Sequence, residues 1–283
     1  MVYMSDEFLD QLIKEDVPYL DLTTSVLGIG GQAGKITFTS REETVLSGIE
    51  EVVRIFAKLG IKVQHYLPSG TRVAPQTLLI AAEGSAAGLH MAWKVCLNLV
   101  EYCSGIATRT RRLVDEARAV NPEISIVATR KSFPGTKQLS IKSILAGGAF
   151  PHRLGLSETV LIFKQHVNFL GGFEALPALL EQVRIETREK KIIVEVEDED
   201  QARLMARSGI DGIQFDKWKP DELARMIEAI RGIDPRITLI AAGGINEGNA
   251  ALYALTGVDA LATSWVYFGK PADVAVQITP LFN

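Results

Sequence analysis

The sequence of 283 residues is long enough for one large domain or for two domains of ordinary size. Hydrophobic residues make up 47% of it, and a formal net charge of −4 argues against a general nucleic-acid-binding protein, which would carry a basic face. No apolar run reaches the roughly 18 residues of a membrane span, and the acidic N-terminal segment does not resemble a signal peptide. We therefore expect a cytoplasmic protein that does not insert into a membrane.

The first third of the chain alternates short predicted strands with turns. GKITFTS and TLLIAAEG are rich in β-branched and aliphatic residues and are followed by turn residues. From Ser85 to Asn121 the pattern becomes helical. We expect a break in this helix near Gly105, and we place a domain boundary there.

The two cysteines, Cys96 and Cys103, both fall in this predicted helix. Their spacing puts them on one helix face but too far apart along the axis for a disulfide. Because there is no second pair to complete a metal site, we expect reduced thiols in the core.

After Asn121 predicted strands alternate regularly with predicted helices, which indicates parallel strand pairing with right-handed crossovers. The strand candidates, in chain order, are ISIVAT, TVLIF, KIIVEVE, DGIQF, RITLIAA and VDALAT. About six such units predict an α/β fold, either a compact barrel or an open doubly wound sheet.

Polar residues and glycines follow these strands where each one ends. They are Arg130, Lys131, Lys164, Glu195, Glu197, Asp216, Gly243, Gly244, Thr263 and Ser264. In an α/β barrel all strand ends meet at one mouth, whereas in an open sheet only those beside a switch point meet. The pattern therefore favours the barrel.

Residues 128–166 hold six Lys or Arg, two His and a single acid, whereas the rest of the chain is acidic. Arg130 and Lys131 follow one predicted strand, and His152 and Arg153 lie in the loop before another. Guanidinium and ammonium groups bind carboxylate and phosphate. We favour a site for a small anionic ligand over the alternative, a solvated basic surface.

Two acids are candidates for the same site. Strand alternation places Glu195 and Glu197 on one face of KIIVEVE, and Asp216 ends the next strand. Carboxylates beside cations suit an Mg²⁺ ion that arrives with phosphate groups. The alternative is a salt bridge to Arg130 or Lys131.

The stretch AAGGIN ends a strand with Gly243 and Gly244 and leads into a predicted helix. Backbone N–H groups at a helix N-terminus bind phosphate, although the signal is weak by itself. No Ser-His-Asp or Cys-His arrangement is apparent, so we expect group transfer to or from a phosphorylated substrate without a protein nucleophile.

The motifs LSGIE, LVEYCSGIATRT, ATRKSFPG, HRLGLSETVLIF, VEVE, FD and AAGGIN occur in an order that resembles the quinolinate phosphoribosyltransferases, or nicotinate-nucleotide pyrophosphorylases. The resemblance covers nearly the whole chain and is strongest to the ModD branch, which is named for its association with molybdenum transport. It implies an N-terminal α/β sandwich domain (1–108), an α/β barrel of about six parallel strands (109–270) and a C-terminal segment (271–283) that returns to the first domain.

The resemblance also implies a homodimer in which the N-terminal domain of one subunit covers the barrel mouth of the other. The family transfers a phosphoribosyl group from phosphoribosyl pyrophosphate to quinolinate and decarboxylates the product. The matching positions would be Arg130, Lys131, His152 and Arg153 for the acceptor's carboxylates and pyrophosphate, Glu195 and Asp216 for the ribose and Mg²⁺, and Gly243 and Gly244 for the 5′-phosphate.

The sequence departs from the family pattern around the acceptor. Phe163 stands where the family has Lys, with Lys164 beside it, and Lys94 stands where it has Arg. Ala242, Lys217 and Ser264 replace Ser, Asn and Gly. We still expect the acceptor to meet Lys94, Phe163 and Lys164, and the phosphate to meet Ala242 and Ser264 beside the two glycines.

We therefore predict a phosphoribosyltransferase whose small anionic acceptor is not quinolinate, with Lys131, Glu195 and Asp216 in catalytic roles. Two alternatives stay open. One is a non-catalytic protein that binds an anion or nucleotide and is linked to molybdenum metabolism. The other is an ordinary quinolinate enzyme of NAD biosynthesis.

Overall fold

The computed structural model describes residues 2–281. Its helices are α1 (Asp6–Asp16), α2 (Leu22–Val26), α3 (Ile49–Lys58), α4 (Ala86–Val120), α5 (Lys137–Ala146), α6 (Lys164–Val167), α7 (Leu176–Glu186), α8 (Glu199–Arg207), α9 (Pro220–Ile233) and α10 (Ala250–Ala254). Its strands are β1 (Ala33–Ser40), β2 (Thr44–Val45), β3 (Lys62–Tyr66), β4 (Arg72–Val73), β5 (Leu78–Ser85), β6 (Ser125–Ala128), β7 (Phe150–Pro151), β8 (Val160–Ile162), β9 (Ile192–Val196), β10 (Gly212–Asp216), β11 (Thr238–Ala242), β12 (Ala260–Thr263) and β13 (Val274–Pro280). Short 3₁₀ turns occupy Asn168–Leu170, Phe173–Ala175 and Trp265–Tyr267.

The chain forms two compact units. Of the described residues, the first contains 2–111, 133–148 and 267–281, and the second contains 112–132 and 149–266. The domain bounds expected from the sequence, at residues 108 and 270, stay a prediction.

The first unit is built on a four-stranded antiparallel sheet with the strand order β13–β1–β5–β3. Alternate residues of β1, among them Ile36 and Phe38, are fully buried because one face of the strand meets the core. The Phe38 ring lies 6.2 Å from that of Phe56 on α3. Helices α1, α3 and α4 pack into this core, which agrees with the α/β arrangement that the family resemblance implied.

Helix α4 is continuous over 35 residues, so the break predicted near Gly105 is wrong. Gly105 is needed for close backbone approach, because a Cβ atom there would lie 3.0 Å from Cα of Pro271. Cys96 and Cys103 are free and buried in the core, as predicted. Burial raises the pKa of both thiols, that of Cys103 to about 12.

The second unit contains a parallel seven-stranded sheet with the order β7–β6–β12–β11–β10–β9–β8. The predicted α/β fold with parallel strands is confirmed, but residues 2–281 provide seven strands rather than about six. The additional strand, β7, is only two residues long and ends in a proline, so it carries no alternation that sequence analysis could detect. Central strands such as β9 are buried almost throughout, as is usual for parallel sheets covered by helices.

Within residues 2–281, no helix combines the length and the apolar composition that crossing a membrane requires.

A buried ion cluster joins α5 to α3 within the first unit. The ammonium group of Lys142 lies 2.6 Å from Oε2 of Glu50 and 2.5 Å from Oε2 of Glu51, whose exposed fraction is 3%. Ser69 donates to Glu50 from both its N–H and its hydroxyl group. Burial by itself would raise the pKa of Glu50, but the hydrogen bonds from Lys142 and Ser69 outweigh it and lower this pKa to about 2.

Replacing Lys142 by Met should destabilise the fold by about 3–5 kcal/mol, because Glu51 would keep a buried charge without a partner. The free energy of unfolding can be measured by urea denaturation at pH 7. Lys14→Met, at an exposed position of α1, is the matched control and should change it by less than about 0.5 kcal/mol. Equal losses in the two variants would contradict this role of Lys142.

Candidate active site

The second unit has a cavity of about 610 Å³ at the carboxyl ends of its strands. Because parallel strands all end at this edge, residues that are distant in sequence line one space. Of the residues predicted for a site, the cavity wall includes Arg130, Lys131, His152, Arg153, Phe163, Glu195, Asp216, Ala242, Gly243, Gly244 and Ser264. Lys94 and Lys164 are not part of this wall.

Arg153 is a buried cation in the cavity wall. It follows β7, so the short strand missed in the sequence is what places it at the sheet edge. Its guanidinium group has a long contact of 3.5 Å to the carbonyl of Thr159, and its Cζ atom lies 5.8 Å from the centre of the Phe163 ring. Burial and the neighbouring charge of Arg130 lower the pKa of Arg153.

No carboxylate of residues 2–281 forms a salt bridge with Arg153, Arg130 or Lys131. Arg130 and Lys131 are exposed at the end of β6. The alternative for the acidic residues was a salt bridge to Arg130 or Lys131. Within residues 2–281 none of them forms one. Guanidinium and ammonium groups without a salt bridge are suited to bind an anion, and the anion site predicted from the sequence stays a prediction.

Glu195 lies on the cavity side of β9, half-buried, as strand alternation predicted. Burial raises its pKa most, the hydrogen bond from Gln214 lowers it, and the nearby charge of Asp216 raises it further. Glu197, which has the same parity but lies beyond the end of the strand, instead accepts from Lys164 at 2.6 Å at the surface. Glu195 and Asp216 are thus the pair of carboxylates that the cavity shares.

The loop after β11 brings backbone to the cavity. Gly243 and Gly244 have φ angles of 85° and 76°, in the left-handed region that favours glycine. A Cβ atom on Gly243 would lie 2.6 Å from Oδ1 of Asp216 and 2.8 Å from the backbone N of Lys217, so only glycine fits there.

The helix expected directly after these glycines starts later and is short, and the phosphate site at this loop stays a prediction. Helix α10 begins at Ala250, and the side chains of Asn246 and Asn249 accept from the N–H groups of Gly248 and Asn246. These bonds satisfy N–H groups of the turn that precedes the helix, which have no partner inside the helix itself. Any phosphate contact here would come from the loop at Gly243 and Gly244, with Ser264 of the next strand end beside it in the wall.

Sequence analysis missed Gln214, which is buried in β10 with an exposed fraction of 6%. Its Nε2 donates to Oε2 of Glu195 at 2.6 Å, and its Oε1 lies 3.0 Å from Nε2 of His152. One feature of the sequence could have indicated Gln214. It lies two residues before Asp216 in the same strand, so the two side chains lie on the same face of the sheet. Gln165 and Trp265 also line the cavity and were not singled out.

Two residues expected to bind the acceptor, Lys94 and Lys164, do not line this cavity. Because Lys94 was expected to reach the site of a second subunit, its role stays a prediction. Lys164 is exposed and forms the salt bridge with Glu197 just described. Lys94 is exposed on α4 in the first unit, with its ammonium group 4.7 Å from the centre of the Trp93 ring. Phe163, in contrast, lines the cavity and stacks on His166 with the ring centres 5.9 Å apart.

Known proteins resemble both the sequence and the fold. A curated relative named "Putative pyrophosphorylase ModD" from Rhodobacter capsulatus is 40% identical over 89% of this chain and 96% of its own length. The "Probable nicotinate-nucleotide pyrophosphorylase [carboxylating]" of Methanothermobacter thermautotrophicus is 31% identical over 97% of this chain and 99% of its own length. The crystal structure of nicotinate-nucleotide pyrophosphorylase from Ehrlichia chaffeensis superposes with a TM-score of 0.90 at 25% identity, covering 99% of this chain and 100% of that one.

Two family models match consecutive parts of the sequence. "Quinolinate phosphoribosyl transferase, N-terminal domain" matches residues 21–104, and "Quinolinate phosphoribosyl transferase, C-terminal domain" matches residues 106–277. The second match alone contains every residue that lines the cavity. The chain therefore belongs to the quinolinate phosphoribosyl transferase family and is a phosphoribosyltransferase.

Proposed function

We propose that this enzyme transfers a phosphoribosyl group from phosphoribosyl pyrophosphate to a heterocyclic acid other than quinolinate, with release of pyrophosphate. The observation that carries the proposal is the composition of the cavity wall. The buried cation Arg153 has an aromatic ring, Phe163, beside it, and the carboxylates Glu195 and Asp216 line the same space.

The donor belongs at the carboxylates and the glycine loop. Within residues 2–281 no group of three His, Cys, Asp or Glu side chains could hold a metal ion by itself. Two carboxylates in a cavity instead fit Mg²⁺, which usually binds through one or two carboxylates and the phosphates of a substrate. Glu195 and Asp216 would hold such an ion, which neutralises charge on the leaving pyrophosphate when bound.

The same carboxylates stabilise the reaction in a second way. Breaking the bond between C1′ and pyrophosphate leaves positive charge on the ribose ring. A carboxylate fixed in a partly buried site stabilises such a charge more than water does, because it needs no reorganisation. Glu195 is suited to this role, since Gln214 holds it in place at 2.6 Å.

The acceptor belongs at the cations. Arg153, together with the exposed Arg130 and Lys131, can bind one carboxylate of a heterocyclic acid. Quinolinate has two carboxylates, and hydrogen bonds to charged groups contribute about 1.5–3 kcal/mol each. At Phe163 the second carboxylate would meet a phenyl ring, and the ammonium group of Lys164 is committed to Glu197 outside the cavity wall. The site therefore favours an acid with one negative charge fewer or with an apolar face that rests on the ring.

We further propose that the enzyme works as a homodimer or as a multiple of dimers. Apolar side chains are exposed around α2, among them Tyr19, Leu22 and Val26 at 93%, 66% and 72%. Such patches mark protein–protein contact sites. The exposed Lys94 would then be available to the acceptor site of a second copy.

Light scattering at assay concentration is expected to give the mass of two chains, or of a multiple of two. As a variant, Leu22→Asp should shift the mass toward a monomer, because a carboxylate would replace apolar surface at the contact. A monomeric unmodified protein would contradict the assembly.

Replacing Asp216 by Asn should remove the magnesium dependence of phosphoribosyl pyrophosphate binding while the fold survives. The amide keeps the size of the side chain but lacks the charge that an Mg²⁺ ligand supplies. Isothermal titration calorimetry with and without Mg²⁺ measures the effect, and Glu197→Gln, at the surface end of β9, is the matched control. If the Asp216 variant binds the donor and Mg²⁺ like the unmodified protein, the assignment of this carboxylate is wrong.

Replacing Phe163 by Lys should tighten quinolinate binding about 10- to 100-fold, because one charged hydrogen bond is gained in a partly buried site. The dissociation constant can be measured by calorimetry in the presence of pyrophosphate and Mg²⁺. Phe163→Met, which removes the ring without adding charge, should leave it nearly unchanged. Because Lys94 also departs from the family pattern, the test measures binding and not turnover. A Phe163→Lys variant that binds quinolinate no more tightly than the unmodified protein would contradict the proposal.

A further inference from the structure

Gln214 is a buried polar side chain whose two polar atoms are both hydrogen-bonded. It lies in β10 between apolar strands, where a residue such as Ile or Leu would ordinarily pack. A buried amide is costly unless it is hydrogen-bonded. Its two partners, Glu195 and His152, are both in the cavity wall.

The partners fix the orientation of the amide. An ionised carboxylate can only accept hydrogen bonds, so the NH₂ group of Gln214 faces Glu195 and its oxygen faces His152. The oxygen in turn can only accept, and therefore Nε2 of His152 carries a proton. The positions of the hydrogen-bonded heavy atoms thus assign the Nε2–H tautomer to His152.

The other ring nitrogen of His152 is left for a ligand. The backbone N–H of His152 donates to the carbonyl of Ala128 at 2.8 Å, which fixes the residue at the end of β7. Nδ1 has no hydrogen-bond partner in residues 2–281. Burial and, less strongly, the charge of Arg153 lower the pKa of the ring, while the bond to Gln214 opposes this shift. A neutral ring protonated at Nε2 has a lone pair at Nδ1.

We propose that Gln214 is a positioning residue that sets acceptor specificity, since it holds His152 as an Nε2–H tautomer whose Nδ1 accepts a hydrogen bond from the acceptor. This rests on the proposed function and names its substrate class. The acceptor is a heterocycle with one anionic group for Arg153 and an N–H or O–H donor at the edge that meets His152. A second carboxylate at that edge of the acceptor would face the lone pair on Nδ1 of His152 instead of an N–H group that could donate to it.

The tautomer can be observed without any substrate. In ¹⁵N-labelled protein, NMR spectra at a pH above the ring pKa distinguish a protonated from an unprotonated ring nitrogen, and His152→Gln identifies the signals among the four histidines. We expect a protonated Nε2 in the unmodified protein. Gln214→Met should release this preference, whereas Gln214→Glu should retain it, because its carboxylate still accepts from Nε2. A protonated Nδ1 in the unmodified protein overturns the inference even if both variants fail to fold.

Binding tests the specificity. Hydroxynicotinate and its methyl ether differ in one hydrogen-bond donor, and calorimetry in the presence of pyrophosphate and Mg²⁺ gives their dissociation constants. The unmodified protein should bind the hydroxy acid about tenfold more tightly, and Gln214→Met should lose this difference. Equal binding of the two acids by the unmodified protein overturns the inference.

The inference and the proposed function fail in different ways. Tighter binding of the hydroxy acid than of its methyl ether, together with a protonated Nε2 on His152, supports the role of Gln214 whether or not turnover is seen. Absence of pyrophosphate release with every acid of a heterocyclic panel would count against the proposed function alone. Release of pyrophosphate with a His152 ring protonated at Nδ1 would count against the role of Gln214 alone.

Discussion

The buried guanidinium group of Arg153 is the constraint on which the site depends. A guanidinium group cannot release its proton at any ordinary pH, so burial cannot be relieved by neutralisation. Taking such a charge out of water is costly unless an anion or several hydrogen bonds replace the solvent. The chain supplies one long contact to a backbone carbonyl and the face of Phe163, and no salt bridge within residues 2–281. This environment suits the role proposed for Arg153, which is to bind the anionic group of the acceptor.

The remaining features of the cavity are arranged around that cation. Strand parity places Glu195 and Asp216 in the same cavity as Arg153, but neither forms a salt bridge with it. The cavity wall therefore contains both a cation and carboxylates. Gly243 leaves room beside Asp216 that any side chain would fill. Gln214 connects the carboxylate of Glu195 to the ring of His152, and so couples the groups assigned to the donor with those assigned to the acceptor. A phosphoribosyl transfer needs both sets of groups within one space.

Much of this could be predicted because parallel strands impose a simple rule: the residues at their carboxyl ends meet. Arg130, Glu195, Asp216 and Gly243 followed from this rule. Two parts did not follow. Strand β7 has two residues, too few to show periodicity, and Gln214 is inside a strand rather than at its end, where its polarity has meaning only once its neighbours are known.

The other differences concern where helices begin and whether they continue. Helix α10 begins at Ala250, after a turn in which the side chains of Asn246 and Asn249 accept from backbone N–H groups. Gly105 looked like a helix break, but it is a contact point where two backbones approach. Both outcomes depend on contacts between residues that periodicity alone does not reveal.

The central claim is that the cavity serves phosphoribosyl transfer to an acid other than quinolinate. Its most direct test is a steady-state assay of pyrophosphate release by the unmodified protein, with phosphoribosyl pyrophosphate, Mg²⁺ and a panel of heterocyclic acids that includes quinolinate. The account predicts that at least one acid with a single carboxylate gives kcat/KM about tenfold or more above that of quinolinate, the ratio that one lost charged hydrogen bond produces. Efficient formation of nicotinate mononucleotide from quinolinate would contradict it.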